Sequence, residues 1–471
     1  MTQDDQYQSP LSWRYASPEM RQIWSEIHKR RLWRQLWVAL AQTQSEFGLV
    51  QPAQVEDLRL HMNDIDLPRA LEIEAEIHHD LMAEVRAYAE QCSVGKGIIH
   101  WGATSMDIED NADALRLRDS LDLVLQKLAG LLNLLAEKML RYADLPVIAF
   151  THLQPAEPST LGYRMAFSAQ DLLIDWRHLR QVRAELKGKG FKGAVGTGAS
   201  YAELLGADRV DAFETRLSEL LDLPFFPVSS QTYPRKQDYF VVSALAALGA
   251  SISKFAFDLR VLQSPVIGEL SEPFAEKQVG SSAMPFKRNP INAEKINSLA
   301  RLLAHLPSIA WDNAANNLLE RTLDDSANRR ILLPEAFLIT DELLATATRI
   351  VRGLRVNESA ISRNLAIYAP FASTERVLMA LVKAGADRQE MHERLRGHAM
   401  AAWNQVQQNQ PNSLADLIAS DATIAQFLSP ADLHELMQVE SYVGSAAQRT
   451  RDLAYEIQET CGPGAGVITR P

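Results

Sequence analysis

Cysteine is nearly absent: Cys92 and Cys461 are the two in 471 residues. That excludes a disulfide framework and, with no signal-like start, leads us to expect a reducing, cytoplasmic setting. Excess positive charge is missing too, with 48 Lys and Arg against 59 Asp and Glu and a formal net charge of -11. No basic domain or Lys/Arg run is available to displace counterions from a phosphate backbone, so nucleic acid is not an expected partner. Any site for an anion must then be a local pocket. Long apolar runs of membrane-spanning length are not evident, and no membrane association is expected. Alternating, strand-like segments are scarce as well, which weighs against a sheet-based fold.

What remains is helical. Ser17-Pro18-Glu19 reads as an N-cap with proline at the first helical position, after a polar start from Met1 to Pro10 that is expected to be mobile. Past Asp110, Leu117, Leu121, Val124, Leu128, Leu131 and Leu135 recur at spacings of four and three, one apolar stripe that ends before Pro146. Similar stretches run from about Asp238 to Leu262 and from Asn292 to Leu319. Shorter helical pieces follow Ser359, with Ser429-Pro430-Ala431-Asp432 as a helix start, before a Gly/Pro-containing tail, Cys461 to Pro471. A chain of this length exceeds one compact core. The expected architecture is all-α, with three helical domains over residues 1–110, 111–358 and 359–471 and a central bundle of long helices in the second.

Several segments carry chemistry. Gly280 to Pro290, GSSAMPFKRNP, sets Ser281, Ser282 and Lys287 on a stretch that glycine and two prolines keep out of regular structure. Such a loop presents hydroxyls, a cation and backbone amides to one developing negative charge. Thr151 to Pro158, THLQPAEP, holds His152 at an element boundary, and imidazole suits proton transfer near neutral pH. In EIHHDL, His78 and His79 would point about 100° apart on a helix, so one at most is expected to face a site directly. His100 to Ser105, HWGATS, offers Thr104 and Ser105 just before the long helix. Glu320 to Arg330, ERTLDDSANRR, gathers three guanidiniums beside Ser326, either as a solvated face or as a cradle for phosphate or carboxylate. Gly188, Gly190 and Gly193 fit the spacing GxGxxG, but a helical pattern precedes them and no βαβ unit surrounds them, so dinucleotide binding is not expected. His78, His79, Asp80 and His100 lack metal-ligand spacing, and no metal or other cofactor is expected.

These segments together resemble the adenylosuccinate lyases of the fumarase/aspartase superfamily, from Arg14-Tyr15 to about Gly397. ERTLDDSANRR, KGAVGTGAS and Gln231 to Lys236, QTYPRK, are most similar to the animal-type branch. The resemblance implies a homotetramer built on the central bundle, with active sites shared between subunits and nucleotide substrates that release fumarate. It also implies roles: Ser281 as general base, His152 as general acid, Lys287 stabilising charge and Glu294 orienting the acid. Arg14, Tyr15, Arg321, Ser326 and Arg330 would surround phosphate and ribose. His78, His79, Asp80, Thr104 and Ser105 would form substrate-binding segments, and Gln231 would contact the succinyl part. Lys295 stands where animal-type sequences carry arginine, a fork replaced by a point charge. Another fumarate-releasing lyase, such as one acting on argininosuccinate, and a non-catalytic structural descendant are the alternatives.

Overall fold

The structure is a computed structural model that describes residues 6–438 and 442–462. The first half of the polar start, and the tail from Pro463 onward, lie outside the described residues.

As expected, the protein is all-α: 68% of the chain is helical. In chain order the first helices are α1 (Pro10–Trp13), α2 (Pro18–Ile23), α3 (Glu26–Glu46), α4 (Pro52–His61), α5 (Leu67–Ile77) and α6 (Asp80–Gln91). α1 begins inside the start that looked unstructured, capped by the Ser9 hydroxyl. Ser17 does the same for α2, with Pro18 at its first position. α7 (Ser105–Arg141) carries the leucine stripe for 37 residues, and the six stripe residues are all buried. A hairpin follows, β1 (Pro146–Thr151) with β2 (Gln154–Thr160). Next come α8 (Leu161–Ala184), α9 (Ala199–Leu205), α10 (Val210–Leu221), α11 (Lys236–Leu262), the short strand β3 (Leu270–Ser271), α12 (Ile291–Ala315) and α13 (Asp324–Arg352). The last part comprises β4 (Arg355–Val356), α14 (Glu358–Lys383), α15 (Arg388–Gln407), α16 (Leu414–Ala419), α17 (Pro430–Leu436) and α18 (Ala446–Cys461). α17 starts at Ser429 with a full capping box, in which Ser429 and Asp432 bond each other's backbone amides.

Two compact units emerge: residues 1–128, 175–250 and 298–345 form unit 1, and residues 129–174, 251–297 and 346–471 form unit 2. The core of unit 1 is aromatic-rich, with Trp37, Tyr88, Phe191, Tyr201 and Phe213 among its buried members. In unit 2, Val377, Leu381, Met391, Leu395, Leu414 and Ile418 join α14, α15 and α16.

The hairpin is the element the sequence did not announce. β2 contains Pro155 and Pro158, which face Phe150 and Ile148 in antiparallel register. A two-stranded ribbon is all edge, so residues without an N–H cost it little. Its apolar face is covered: Ile148 and Phe150 pack with Leu365, Tyr368 and Ala369 of α14.

One expectation needs narrowing. α11 and α14 are long and apolar enough to cross a membrane by length and composition. Phe240 and Phe257 of α11 are among the exposed large side chains, so its apolar excess exceeds what this chain alone buries.

Between α8 and α9 the three spaced glycines wrap a buried carboxylate. Asp107 Oδ1 accepts from the Lys192 and Gly193 amides, each at 3.2 Å, and pairs with the Lys189 ammonium. Gly190, at φ +84°, lies where a Cβ would sit 2.1 Å from Glu214 Oε1. The glycines serve a tight turn.

Candidate functional site

Unit 1 contains a cavity of about 590 Å³. Four segments bring the expected residues to its wall, and Glu26 and Lys29 of α3 and Glu74 of α5 line it as well. The α5–α6 junction brings His78, His79 and Asp80; the start of α7 brings Thr104, Ser105 and Glu109; Gln231 comes from the loop before α11; and Arg321, Ser326 and Arg330 come from the start of α13. Nine of the twelve residues expected to bind substrate therefore share one cavity.

The histidine pair departs from the helical reading. α5 ends at Ile77, His78 is left-handed at φ +54°, and His79 is extended at φ -148° as the N-cap of α6. The run EIHHDL is therefore not one helix. Both histidines line the cavity, so the 100° divergence expected of one continuous helix does not apply to them. His79 Nδ1 accepts from the Met82 amide at 3.4 Å.

Asp80 and Arg330 are bound to each other, Nη2 donating to Oδ2 at 2.8 Å, and the Leu81 amide donates to Oδ1. Burial opposes ionisation of Asp80, but the Arg330 guanidinium outweighs it and holds this carboxyl below the usual range. Glu109 behaves oppositely: burial first, then the neighbouring charges of Asp80 and Asp113, push its carboxyl up to about 8.

Arg321 donates to Asp325 Oδ1 at 2.8 Å. The Gln231 amide is tied to the Glu320 carbonyl at 3.1 Å, which joins the two loops that carry Gln231 and Arg321. Arg329, which also lines the cavity, belongs to a buried charged network that sequence reasoning did not single out. Arg329 Nε donates to Asp238 at 2.8 Å, and its Nη2 donates to the Tyr233 hydroxyl, which itself donates to Asp238 at 2.6 Å. Arg235 bridges Asp110 and Asp325. Every charged member is buried and partnered, as burial requires. The available signal was modest: Tyr233 and Arg235 sit in the QTYPRK segment, and Asp238 opens an apolar helix.

His100, weighed with the metal candidates, is taken up by the core. Trp37 Nε1 donates to its Nδ1 at 3.1 Å, and burial lowers its pKa. No group of three or more potential metal ligands occurs among the described residues.

Arg14 and Tyr15 do not line the cavity. Arg14 is exposed just past α1, its guanidinium 5.7 Å from the Trp13 ring centre.

The expected acid and base belong to unit 2. His152 and Leu153 form the two-residue turn of the hairpin, at φ +54° and +60°. Positive φ at both positions is normally met by Asn-Gly, so an exposed His-Leu turn stores strain of about 1–2 kcal/mol per residue. Among the described residues no hydrogen bond or ion pair engages the His152 ring, and it is not joined to Glu294.

Ser281 sits in the irregular stretch before α12, its Oγ accepting from the amides of Ala283 at 3.4 Å and Met284 at 3.1 Å. The loop folds back on itself. Asn289 Nδ2 donates to the Gly280 carbonyl at 3.1 Å, and a Cβ on Gly280 would fall 2.0 Å from the Lys287 carbonyl oxygen. Ser281 and Lys287 are thus held on one small loop, with the Lys287 side chain exposed. Glu294 occupies the first turn of α12, 3.9 Å from Arg260 Nη2. Lys295 follows on the same turn. The carboxylate of Glu272 accepts from the amides of Asn292 and Ala293, closing the N-terminus of α12 and fixing where the loop ends.

The sequence pattern of the family described as Lyase matches residues 24–303, and that of the adenylosuccinate lyase C-terminus matches residues 370–453. An adenylosuccinate lyase of Saccharomyces cerevisiae is 41% identical over 456 residues, covering 94% of this chain and 93% of its own. One of Schistosoma mansoni is 41% identical over 430 residues, 89% of each chain. One of Archaeoglobus fulgidus is 35% identical over 456 residues, 96% of this chain and 98% of its own. Among solved structures, the 3-carboxy-cis,cis-muconate lactonizing enzyme of Pseudomonas putida superposes with a TM-score of 0.84 at 25% identity, over 95% of this chain and 99% of that one. A fumarate lyase of Mesorhizobium sp. BNC1 gives 0.82 at 23% identity, over 96% and 99%, a likeness of fold.

Proposed function

The chain belongs to the adenylosuccinate lyase family of the fumarase/aspartase superfamily, and on that premise we propose that it is a C–N lyase that eliminates fumarate from adenylosuccinate, leaving AMP. The same chemistry extends to the succinyl-aminoimidazole-carboxamide ribotide of purine biosynthesis, which carries the same ribose phosphate and the same succinyl-amino group. One observation carries this reading: the cavity of unit 1 gathers Arg321, Ser326 and Arg330 with His78, His79, Thr104, Ser105 and Gln231. Forked and hydroxyl donors at one end suit a phosphate monoester, a group that argininosuccinate lacks.

Elimination needs a proton taken from the succinyl β-carbon while the departing nitrogen receives one. Ser281 is the base in this reading. Its Oγ already accepts from two loop amides, and the same donors would stabilise a seryl alkoxide. Lys287, on the same loop, adds a positive charge for that alkoxide and for the carboxylate that gathers charge as the carbanion forms. His152 is the acid, presented at the tip of a strained hairpin, and Glu294, which does not touch it within one chain, is assigned to orient it in the assembled site. Arg14, Tyr15 and Lys295 complete the binding set from outside the cavity. No metal or organic cofactor takes part in this scheme.

A homotetramer with active sites shared between subunits belongs to the same proposal. Its support is apolar surface left open on long helices: Tyr163, Phe167 and Ile174 on α8, and Leu302, Ile309 and Trp311 on α12. Large exposed apolar surface of this kind marks an interface. A three-domain division at 110 and 358, and a cytoplasmic location, remain part of the proposal.

The test is to incubate the protein with adenylosuccinate and follow AMP and fumarate together by chromatography. Equal appearance of both is expected, and Ser281→Ala and His152→Ala are each expected to abolish it without loss of helical signal or of assembled mass. Release of fumarate from argininosuccinate, with none from adenylosuccinate, would overturn the reading.

A further inference from the structure

Glu109 has a place in the cavity and no partner there. It stands on the α7 side of the wall, one turn before Asp113, and among the described residues no hydrogen bond or ion pair engages its carboxyl. Charge crowds it from every side. Asp110, Asp113 and Arg116 lie on its own helix, Glu74 on α5, His78, His79 and Asp80 at the α5–α6 junction, Glu26 and Lys29 on α3, and Arg321, Arg329 and Arg330 at the start of α13. Most of the cationic capacity nearby is already engaged: Arg330 donates to Asp80, and Arg329 is buried against Asp238 and Asp113.

A phosphate monoester dianion offers acceptors and no donor, so the wall that receives it must supply N–H and O–H groups. An ionised Glu109 would supply neither, and it would set a like charge against the ligand over the same guanidinium. A protonated Glu109 supplies an O–H.

Resting on the reading that this cavity takes the nucleotide, we propose that Glu109 acts as a neutral carboxylic acid that donates a hydrogen bond to the phosphate of the bound nucleotide, and that losing its proton weakens nucleotide binding. Glu109 is then a binding residue that ties affinity for nucleotide monophosphates to pH. Burial and its acidic neighbours hold the carboxyl up to about 8, high enough for the acid form to dominate near neutrality. A bound dianion raises it further, so binding above that midpoint draws a proton from solvent.

AMP is the probe, titrated calorimetrically into the whole protein from pH 7 to 9.5 in two buffers of different ionisation enthalpy. From pH 8 upward the phosphate is essentially fully ionised, with a second pKa near 6, so proton uptake there does not come from the ligand. For the unaltered protein, Kd should weaken by about five- to eightfold per pH unit between pH 8 and 9.5, with about three-quarters of a proton taken up at pH 8.5. Glu109→Gln keeps the shape and a donor but cannot ionise. It should bind AMP within about threefold of the parent at pH 7, with a flat Kd to pH 9 and no uptake. Equal alkaline weakening and uptake in both proteins would overturn the proposal, as would a flat Kd in the unaltered protein. Arg330→Met separates this failure from that of the underlying reading: if it leaves AMP affinity unchanged, the nucleotide phosphate does not occupy this cavity, whatever Glu109 does.

Discussion

Arg329 and Arg330 are neighbours in sequence, and replacing each by methionine should damage different properties. The Arg329 side chain is 7% exposed and reaches Asp238 at 2.8 Å and Asp113 at 3.2 Å. Methionine there fills much of the space but leaves the buried Asp238 carboxylate with the Tyr233 hydroxyl as its remaining partner. Removing one side of a buried ion pair costs about 3–5 kcal/mol. Arg330 is 57% exposed, and its ion pair with Asp80 is of the kind worth about 0–1 kcal/mol. Its loss should scarcely shift unfolding. If Arg330 holds the phosphate, however, each charge-assisted hydrogen bond is worth about 1.5–3 kcal/mol, so KM should rise by roughly ten- to a hundredfold. Urea unfolding at one protein concentration reads the first effect, and initial rates of AMP release read the second. Equal loss of stability in the two variants would refute the division of labour, as would an unchanged KM in Arg330→Met.

Gly280→Ala places a methyl where the Lys287 carbonyl oxygen lies 2.0 Å away, so the loop must re-form around it. We expect kcat to fall by about tenfold or more with the urea midpoint unchanged, since the loop is exposed and a misplaced reacting group is costly. Leu153→Gly relieves a left-handed residue at φ +60° that is 69% exposed, and unlike most leucine-to-glycine changes it should leave stability within about 1 kcal/mol of the parent in the same assay. For Asp421, burial opposes ionisation, but the hydrogen bond with His398 and the amides of Thr423 and Ile424 depress its pKa to about 2. A depressed carboxyl stabilises the fold above its unfolded pKa near 4 and loses that contribution as pH falls from about 4 to 2. Asp421→Asn should therefore narrow the gap in urea midpoint between pH 6 and pH 3, and an unchanged gap would rule this pair out as a source of acid sensitivity.

Periodic patterns made the long helices legible, since a stripe at spacings of three and four has one regular solution and α7 buries all six of its members. Local exceptions were less visible, because tertiary contacts decide them. β2 contains two prolines and reads as a breaker, yet a ribbon backed by α14 accepts them. EIHHDL contains neither glycine nor proline, so nothing local warns that His78 turns left-handed and that two successive histidines line one cavity. The candidate site shows the same limit in its sharpest form. ERTLDDSANRR advertises three guanidiniums, but successive helical positions diverge by about 100°, so adjacent arginines must face different surroundings. What those surroundings contain is written far away: the groups that claim Arg329 are Asp238, 91 positions distant, and Tyr233, 96 positions distant. Both arginines line the cavity, but with Arg329 buried against those groups and Arg330 left mostly exposed, the chemistry of a residue type becomes the role of a particular residue only through contacts no local window contains.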